Sequence, residues 1–119
     1  MSRALILVDH GSRRAEAHAH MEWLAAQVRA RRPGLAVYVA HLELALPSIR
    51  DAIDRSVAEG ARELVIHPLF LVPGRHLGED LPAQVRAATA RHAGVSVHVT
   101  EPLGGQPGLA DLILAALDA

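Results

Sequence analysis

No cysteine occurs among the 119 residues, which excludes disulfides, zinc–thiolate sites and thiol chemistry and leaves imidazole and carboxylate as the strong metal ligands. Aromatic residues are nearly absent as well, with one Trp, one Tyr and one Phe, and a sandwich built around large rings is disfavoured. Neither sign of charge dominates: 12 basic side chains stand against 13 acidic ones. That balance offers no electrostatic footprint for nucleic acid or for an anionic membrane. No apolar run approaches the roughly 20 residues of a membrane span. The short stretch Ala4 to Val8 after the N-terminus is too brief for a signal-peptide core, and a cytoplasmic location is expected. What the chain has in quantity is aliphatic residues, half of it being apolar, and eight histidines. A chain of this length can bury one core but hardly two, so residues 1–119 read as a single domain.

The apolar pattern predicts an alternation of strands and helices. Ala4 to Val8 is a continuous apolar run that stops at Asp9-His10-Gly11-Ser12, the signal of a strand buried on both faces. Ser12 is the expected cap of a helix that carries Ala17, Met21, Leu24 and Val28 at helical spacing and stops at Pro33-Gly34. Leu35 to Ala40 is a second strand. Pro47-Ser48 opens a helix with Ile49, Ile53 and Val57 on one face, ended by Gly60. Leu64 to Leu71 is a third apolar run, interrupted by His67-Pro68. A turn-rich segment from Pro73 to Pro82 then leads into a helix of about ten residues. Val95 to Val99 is a fourth strand, and Pro107 to Leu117 a last amphipathic helix. Four strands alternating with four helices imply an α/β fold: a four-stranded parallel sheet with helices on both faces in a flavodoxin-like layering. Ligands of such sheets bind beyond the carboxyl ends of the strands.

Three polar residues stand at three successive strand ends: His10 after the first, Glu43 after the second and His76 after the third. Two neutral imidazoles and one carboxylate suit Co²⁺, Ni²⁺, Fe²⁺ or Zn²⁺ and leave coordination positions open for exchange. Taken singly, each histidine is as well explained by a turn or a cap. Arg13 and Arg75 flank the two histidines, where guanidinium forks suit a polycarboxylate; solvation is the competing account for Arg14. The remaining histidines read as bystanders: His41 as a half-exposed strand-end residue, His67 as a core histidine with its hydrogen bonds met, His18 and His20 as helix residues pointing apart, His92 and His98 as solvated or sheet-face residues. Asp9 either orients His10 or ends the strand. Glu79-Asp80 stands just ahead of the third helix, where Asp80 reads as a capping residue.

The segments Leu7-Val8-Asp9-His10-Gly11-Ser12-Arg13 and Pro68-Leu69-Phe70-Leu71-Val72-Pro73-Gly74-Arg75-His76-Leu77-Gly78-Glu79-Asp80-Leu81-Pro82 resemble the small sirohydrochlorin chelatases of the cobalt, nickel and iron branches. Leu42-Glu43-Leu44-Ala45-Leu46-Pro47-Ser48-Ile49 and Glu101-Pro102-Leu103-Gly104 resemble them too, so the similarity runs through essentially the whole chain. It implies a class II chelatase half-domain that inserts a divalent metal, Co²⁺ first and Fe²⁺ or Ni²⁺ next, into sirohydrochlorin in cobalamin- or siroheme-type tetrapyrrole biosynthesis. The metal is then a substrate, and no permanently bound cofactor is implied. The resemblance assigns metal binding to His10 and His76, with Glu43 as a further ligand, and makes His10 the base toward the pyrrole N–H groups. It has Leu46 and the loop Leu71, Val72, Pro73, Gly74, Arg75 and His76 line the macrocycle. Larger members carry two such halves, so this half implies a homodimer with the flat substrate in the cleft between subunits.

Two other readings stay open on sequence. The same residues suit a tetrapyrrole or metal carrier without turnover. A histidine–glycine turn after a first strand also occurs in phosphohistidine phosphoryl-transfer enzymes, although there an arginine stands where this chain has Asp9.

Overall fold

A computed structural model describes residues 2–72 and 74–119, with the side chains of residues 75–77 outside the description. The chain runs β1 (Arg3–Asp9), α1 (Ala15–Arg31), β2 (Ala36–His41), α2 (Ile49–Ala58), β3 (Glu63–Pro68), α3 (Arg75–Thr89), β4 (Ser96–Val99), a 3₁₀ turn (Leu103–Gly105) and α4 (Gly108–Leu117). All four strands are parallel in the order β2-β1-β3-β4, the α/β layering that the alternating pattern predicts.

Side chains alternate along each strand, and the two faces of the sheet are closed differently. Ala4, Ile6 and Val8 of β1 join Leu64 and Ile66 of β3 on one face, where Ile49, Ala52 and Ile53 of α2 and Leu81, Val85 and Ala88 of α3 cover them. On the other face Leu7, Val37 and Val39 pack under Met21 and Ala25 of α1. α1 follows β1 onto one face, whereas α2 and α3 cover the opposite one. The connections leaving the neighbouring strands β1 and β3 therefore part to opposite sides, and the crevice between them is the topological switch point of the sheet.

Local chemistry explains where the helices start. Ser48 caps α2 in a reciprocal box: its side chain accepts from the Asp51 N–H and Asp51 accepts from the Ser48 N–H, each at 3.1 Å. Ser12, expected as the cap of α1, does not fill that role. The helix begins three residues later, after Arg14, which makes no side-chain cap; Ser12 Oγ instead accepts from the Arg14 N–H at 3.0 Å, closing a tight local turn. β3 stops at Pro68, three residues short of the expected Leu71. Proline has no N–H to extend the ladder, although its carbonyl side remains usable. α3 is longer than expected, 15 residues, because Pro82 is accommodated inside it rather than marking its start. Glu79 and Asp80 consequently lie within α3 and not ahead of it, so the capping role read for Asp80 does not apply.

Candidate metal centre

The site grows from the ends of β1 and β2. Asp9 and His41 are partners in register, and the ladder continues one step beyond the strands: Leu42 N–H donates to the Asp9 carbonyl at 3.0 Å and Glu43 N–H to the His10 carbonyl at 3.1 Å. These bonds set His10 and Glu43 side by side. Their close approach depends on Gly11, whose φ is +108° and whose missing side chain leaves room for the Glu43 carbonyl; a Cβ built there would lie 1.7 Å from that oxygen. His10 Nε2 and Glu43 Oε1 then stand 2.9 Å apart, both about half exposed. Across the switch point the Phe70 ring meets the His10 ring edge-on, with centroids 6.0 Å apart, bringing the segment after β3 to the same edge.

Asp9 and His41 turn out to be the most informative pair that sequence reading passed over. His41, expected to be half-exposed, is only 3% exposed, and its Nδ1–H donates to Asp9 Oδ1 at 2.6 Å. Asp9 ends β1, the second of its expected roles, and its carboxylate holds His41 rather than His10, tying β1 to β2 immediately behind the His10–Glu43 pair. His18 extends the tie from α1. Its ring lies 5.1 Å from that of His41, and its Nε2 contacts the Ser12 carbonyl at 2.5 Å. A histidine on a helix and another ending a strand carry no shared sequence signal. Only the fact that α1 lies over β2 brings them together.

The rim of the site is apolar and open. Leu44, Leu46, Leu71 and Val72 are all exposed, Leu46 and Val72 each to 78%. Exposed aliphatic side chains gathered on the loops after β2 and β3 form a surface suited to a flat apolar ligand. Arg13 is exposed three residues beyond His10, and Gly74 is exposed at the cap of α3. His76 and Arg75 belong by backbone to the first turn of α3; their side chains, and Pro73, lie outside the described residues. Of the three expected ligands His10 and Glu43 stand together, and among the described residues no three metal-ligating side chains converge. A groove of about 580 Å³ along the outer edge of β2, lined by Arg29, Tyr38 and Arg55 among others, includes neither His10 nor Glu43. There Tyr38 is pushed up to about 12 by burial and by its hydrogen bond to Glu59.

The other histidines divide. His67 is half-buried; the Thr100 hydroxyl donates to the Glu101 carbonyl, leaving its oxygen to accept from His67 Nδ1 at 2.7 Å. Burial lowers its pKa. His92 contacts Asp54 at 2.6 Å alongside Arg91, and the Arg91 and His92 hydrogen bonds hold the Asp54 carboxyl below its ordinary range. His20 stacks on Trp23 with centroids 5.5 Å apart, and His98 is exposed on β4.

A family model described as CbiX matches residues 4–119. The chain is 39% identical over 109 residues to the chloroplastic sirohydrochlorin ferrochelatase of Arabidopsis thaliana, an alignment spanning 92% of this chain and 48% of that protein. It is 34% identical over 79 residues to the sirohydrochlorin cobaltochelatase of Methanococcus maripaludis, spanning 66% of this chain and 55% of the other. The chain thus spans about half the length of these two curated relatives. A solved CbiX protein from Marinobacter aquaeolei VT8 superposes with a TM-score of 0.84 at 34% identity, covering 98% of this chain and 94% of that one.

Proposed function

The chain belongs to the CbiX family, and on that premise we propose that it inserts a divalent metal ion, Co²⁺ or Fe²⁺, into sirohydrochlorin. The observation that carries this reading is the His10 Nε2–Glu43 Oε1 pair, 2.9 Å apart beyond the ends of β1 and β2, beside the switch point of the sheet and bordered by exposed leucines. An imidazole nitrogen and a carboxylate oxygen this close are two ligands already gathered for one ion. Half-exposed, they leave the remaining coordination positions for exchange. His76, carried by the first turn of α3, supplies the third ligand in this reading.

The macrocycle lies against Leu46, Leu71 and Val72, with Arg13 and Arg75 taking its carboxylates through charge-assisted hydrogen bonds. Insertion replaces two pyrrole protons by one divalent ion, so two N–H bonds break as the metal–nitrogen bonds form. His10 receives one of the two protons as it releases the metal, because a neutral ligating imidazole becomes a free base once the ion has left it; the other passes to water at the half-exposed site. Asp9 and His41 hold the His10 loop against the Glu43 loop during this exchange. A single copy presents the site as an open surface, and a second copy facing it closes a cleft for a flat substrate; the assembly we propose is therefore a homodimer.

A phosphoryl-transfer role for His10 is disfavoured by the same pair, since the Glu43 carboxylate sits where an anionic phosphoryl group would approach. The test is anaerobic metal insertion into sirohydrochlorin, followed by absorbance with Co²⁺, Fe²⁺ and Ni²⁺ in turn. Native protein is expected to exceed the spontaneous rate, and His10→Ala to lose about 100-fold or more, the usual contribution of a positioned base. Saturable binding with only background insertion would instead make the protein a carrier.

A further inference from the structure

The chain has a single Phe, and its ring is placed against His10. The two rings meet edge-on, with centroids 6.0 Å apart and an interplanar angle of 68°, within the range that aromatic pairs favour. Phe70 is itself half-buried and packs on the core under α2 and α3, so one side of it is anchored while the other meets the imidazole. His10 needs such an anchor. Its side chain is about half exposed, and an unrestrained imidazole has three staggered wells about χ1 and a roughly two-fold χ2, about six orientations in all.

The other contacts around His10 do not hold its ring once an ion is bound. Glu43 Oε1 meets Nε2, the nitrogen that His10 offers to the metal in the proposed site, so this contact gives way when an ion takes both atoms. The Asp9–His41 bond ties the strand ends, and Glu43 N–H holds the His10 carbonyl; both leave the His10 side-chain torsions free. A hydrocarbon ring restrains the imidazole without occupying either nitrogen.

The fold fixes the place of Phe70 from two sides. Leu69 N–H donates to the Val8 carbonyl at 2.7 Å, continuing the β1–β3 ladder, and Gly104 N–H donates to the Phe70 carbonyl at 2.9 Å. Gly104 belongs to the 3₁₀ turn after β4, which Gln106 Nε2 braces by donating to the Glu101 carbonyl at 2.9 Å. A Cβ at Gly104 would lie 1.7 Å from the Leu71 carbonyl oxygen, so this close approach requires glycine.

We propose that Phe70 is a positioning residue for the metal ligand His10, and that Gly104 holds Phe70 in place. The connection after β4 supplies none of the proposed ligands, yet through this chain of contacts it sets the orientation of the imidazole that follows β1. The inference rests on the reading of His10 as a metal ligand and deepens it. An imidazole held in the productive orientation binds with its full affinity, whereas one correctly turned only part of the time binds more weakly in that proportion.

The test is titration with Co²⁺ alone, without tetrapyrrole, followed by the visible absorption of the bound ion. Phe70→Leu keeps apolar bulk but removes the ring, and is expected to weaken Co²⁺ binding about fivefold, as restoring several imidazole orientations demands. Phe70→Tyr retains the ring and is expected to bind as the native protein does. Gly104→Ala should weaken binding in the same direction as Phe70→Leu; if it fails to fold, the Phe70 variants decide. Val97→Ala loosens the same core from β4, where Val97 pairs with Leu64 near the start of β3, and is expected to leave the affinity unchanged. Native affinity in Phe70→Leu, a loss in Phe70→Tyr equal to that in Phe70→Leu, or an equal loss in Val97→Ala overturns the proposal, and native affinity in a folded Gly104→Ala overturns the part given to Gly104. His10→Ala separates the two levels of the reading. If it binds Co²⁺ as the native protein does, His10 is not a ligand and both fall; if it loses affinity while Phe70→Leu keeps it, only the positioning role falls.

Discussion

The two faces of the sheet are built to different degrees of completion. Under α2 and α3 the packing is continuous, from Ile6 and Ile66 on the strands to Ile53 and Leu81 on the helices, all 1% exposed or less. Under α1 it covers two strands and then fades toward β4. One face concentrates the hydrophobic stabilisation of the chain. The other leaves apolar surface less covered, beside the strand ends that carry the His10–Glu43 pair. Continuous packing and incomplete cover thus lie on opposite sides of one sheet, and the candidate metal centre lies along the edge both share.

The largest effect that sharpens this contrast is expected on the closed face. Ile53→Ala should cost about 2–5 kcal/mol, the usual range for truncating a fully buried isoleucine, as read from the shift in urea midpoint. A loss below about 1 kcal/mol would mean that the closed face is not where stability resides. Asp9→Asn comes next. It removes the carboxylate charge from the His41 contact without altering the shape of the site, and is expected to weaken Co²⁺ binding about tenfold, the lower end for a group that orients metal ligands. Titration of the metal alone measures it, and an unchanged affinity would separate the tie between β1 and β2 from the positioning of His10 and Glu43.

The smallest effect concerns the bare face. Burial lowers the His67 pKa in the folded chain below the ordinary 6.5, so near and below that value the unfolded chain binds the proton more readily. The associated stability is complete above about pH 6.5 and is lost as pH falls through the two pKa values. His67→Gln should therefore flatten the fall in stability between about pH 7 and pH 5, measured by denaturant titration at each pH. An identical slope in both proteins would show that His67 is as well solvated as its exposed neighbour His98.

The candidate metal centre was readable in proportion to how local its signals are. His10 and Glu43 follow apolar runs directly, and the rule that strand ends in parallel sheets face ligands is enough to single them out. The chain also belongs to the family that the motifs around them resemble. His41 was misjudged because its environment is set by His18 of α1 and Asp9 of β1, which is 32 residues away in the chain, and no periodicity within β2 reports a carboxylate on the neighbouring strand. The helix starts failed for a related reason. Ser12 has the side chain of a cap and is used in a turn instead, whereas Pro82, a strong local breaker, lies inside α3, where packing of Leu81 and Val85 against the core outweighs the hydrogen bond lost at proline.

By itself the sequence determined the alternation of elements, the parallel sheet and the two candidate ligands nearest to strand ends, because hydrophobic periodicity and turn residues act over a few positions along the chain. Which strands become neighbours was settled only in three dimensions, and with it the Asp9–His41 tie, the contact of Phe70 with His10 and the unequal covering of the two faces. Those features depend on side chains far apart in sequence meeting across the sheet, and burial there is a property of the packed whole rather than of any segment.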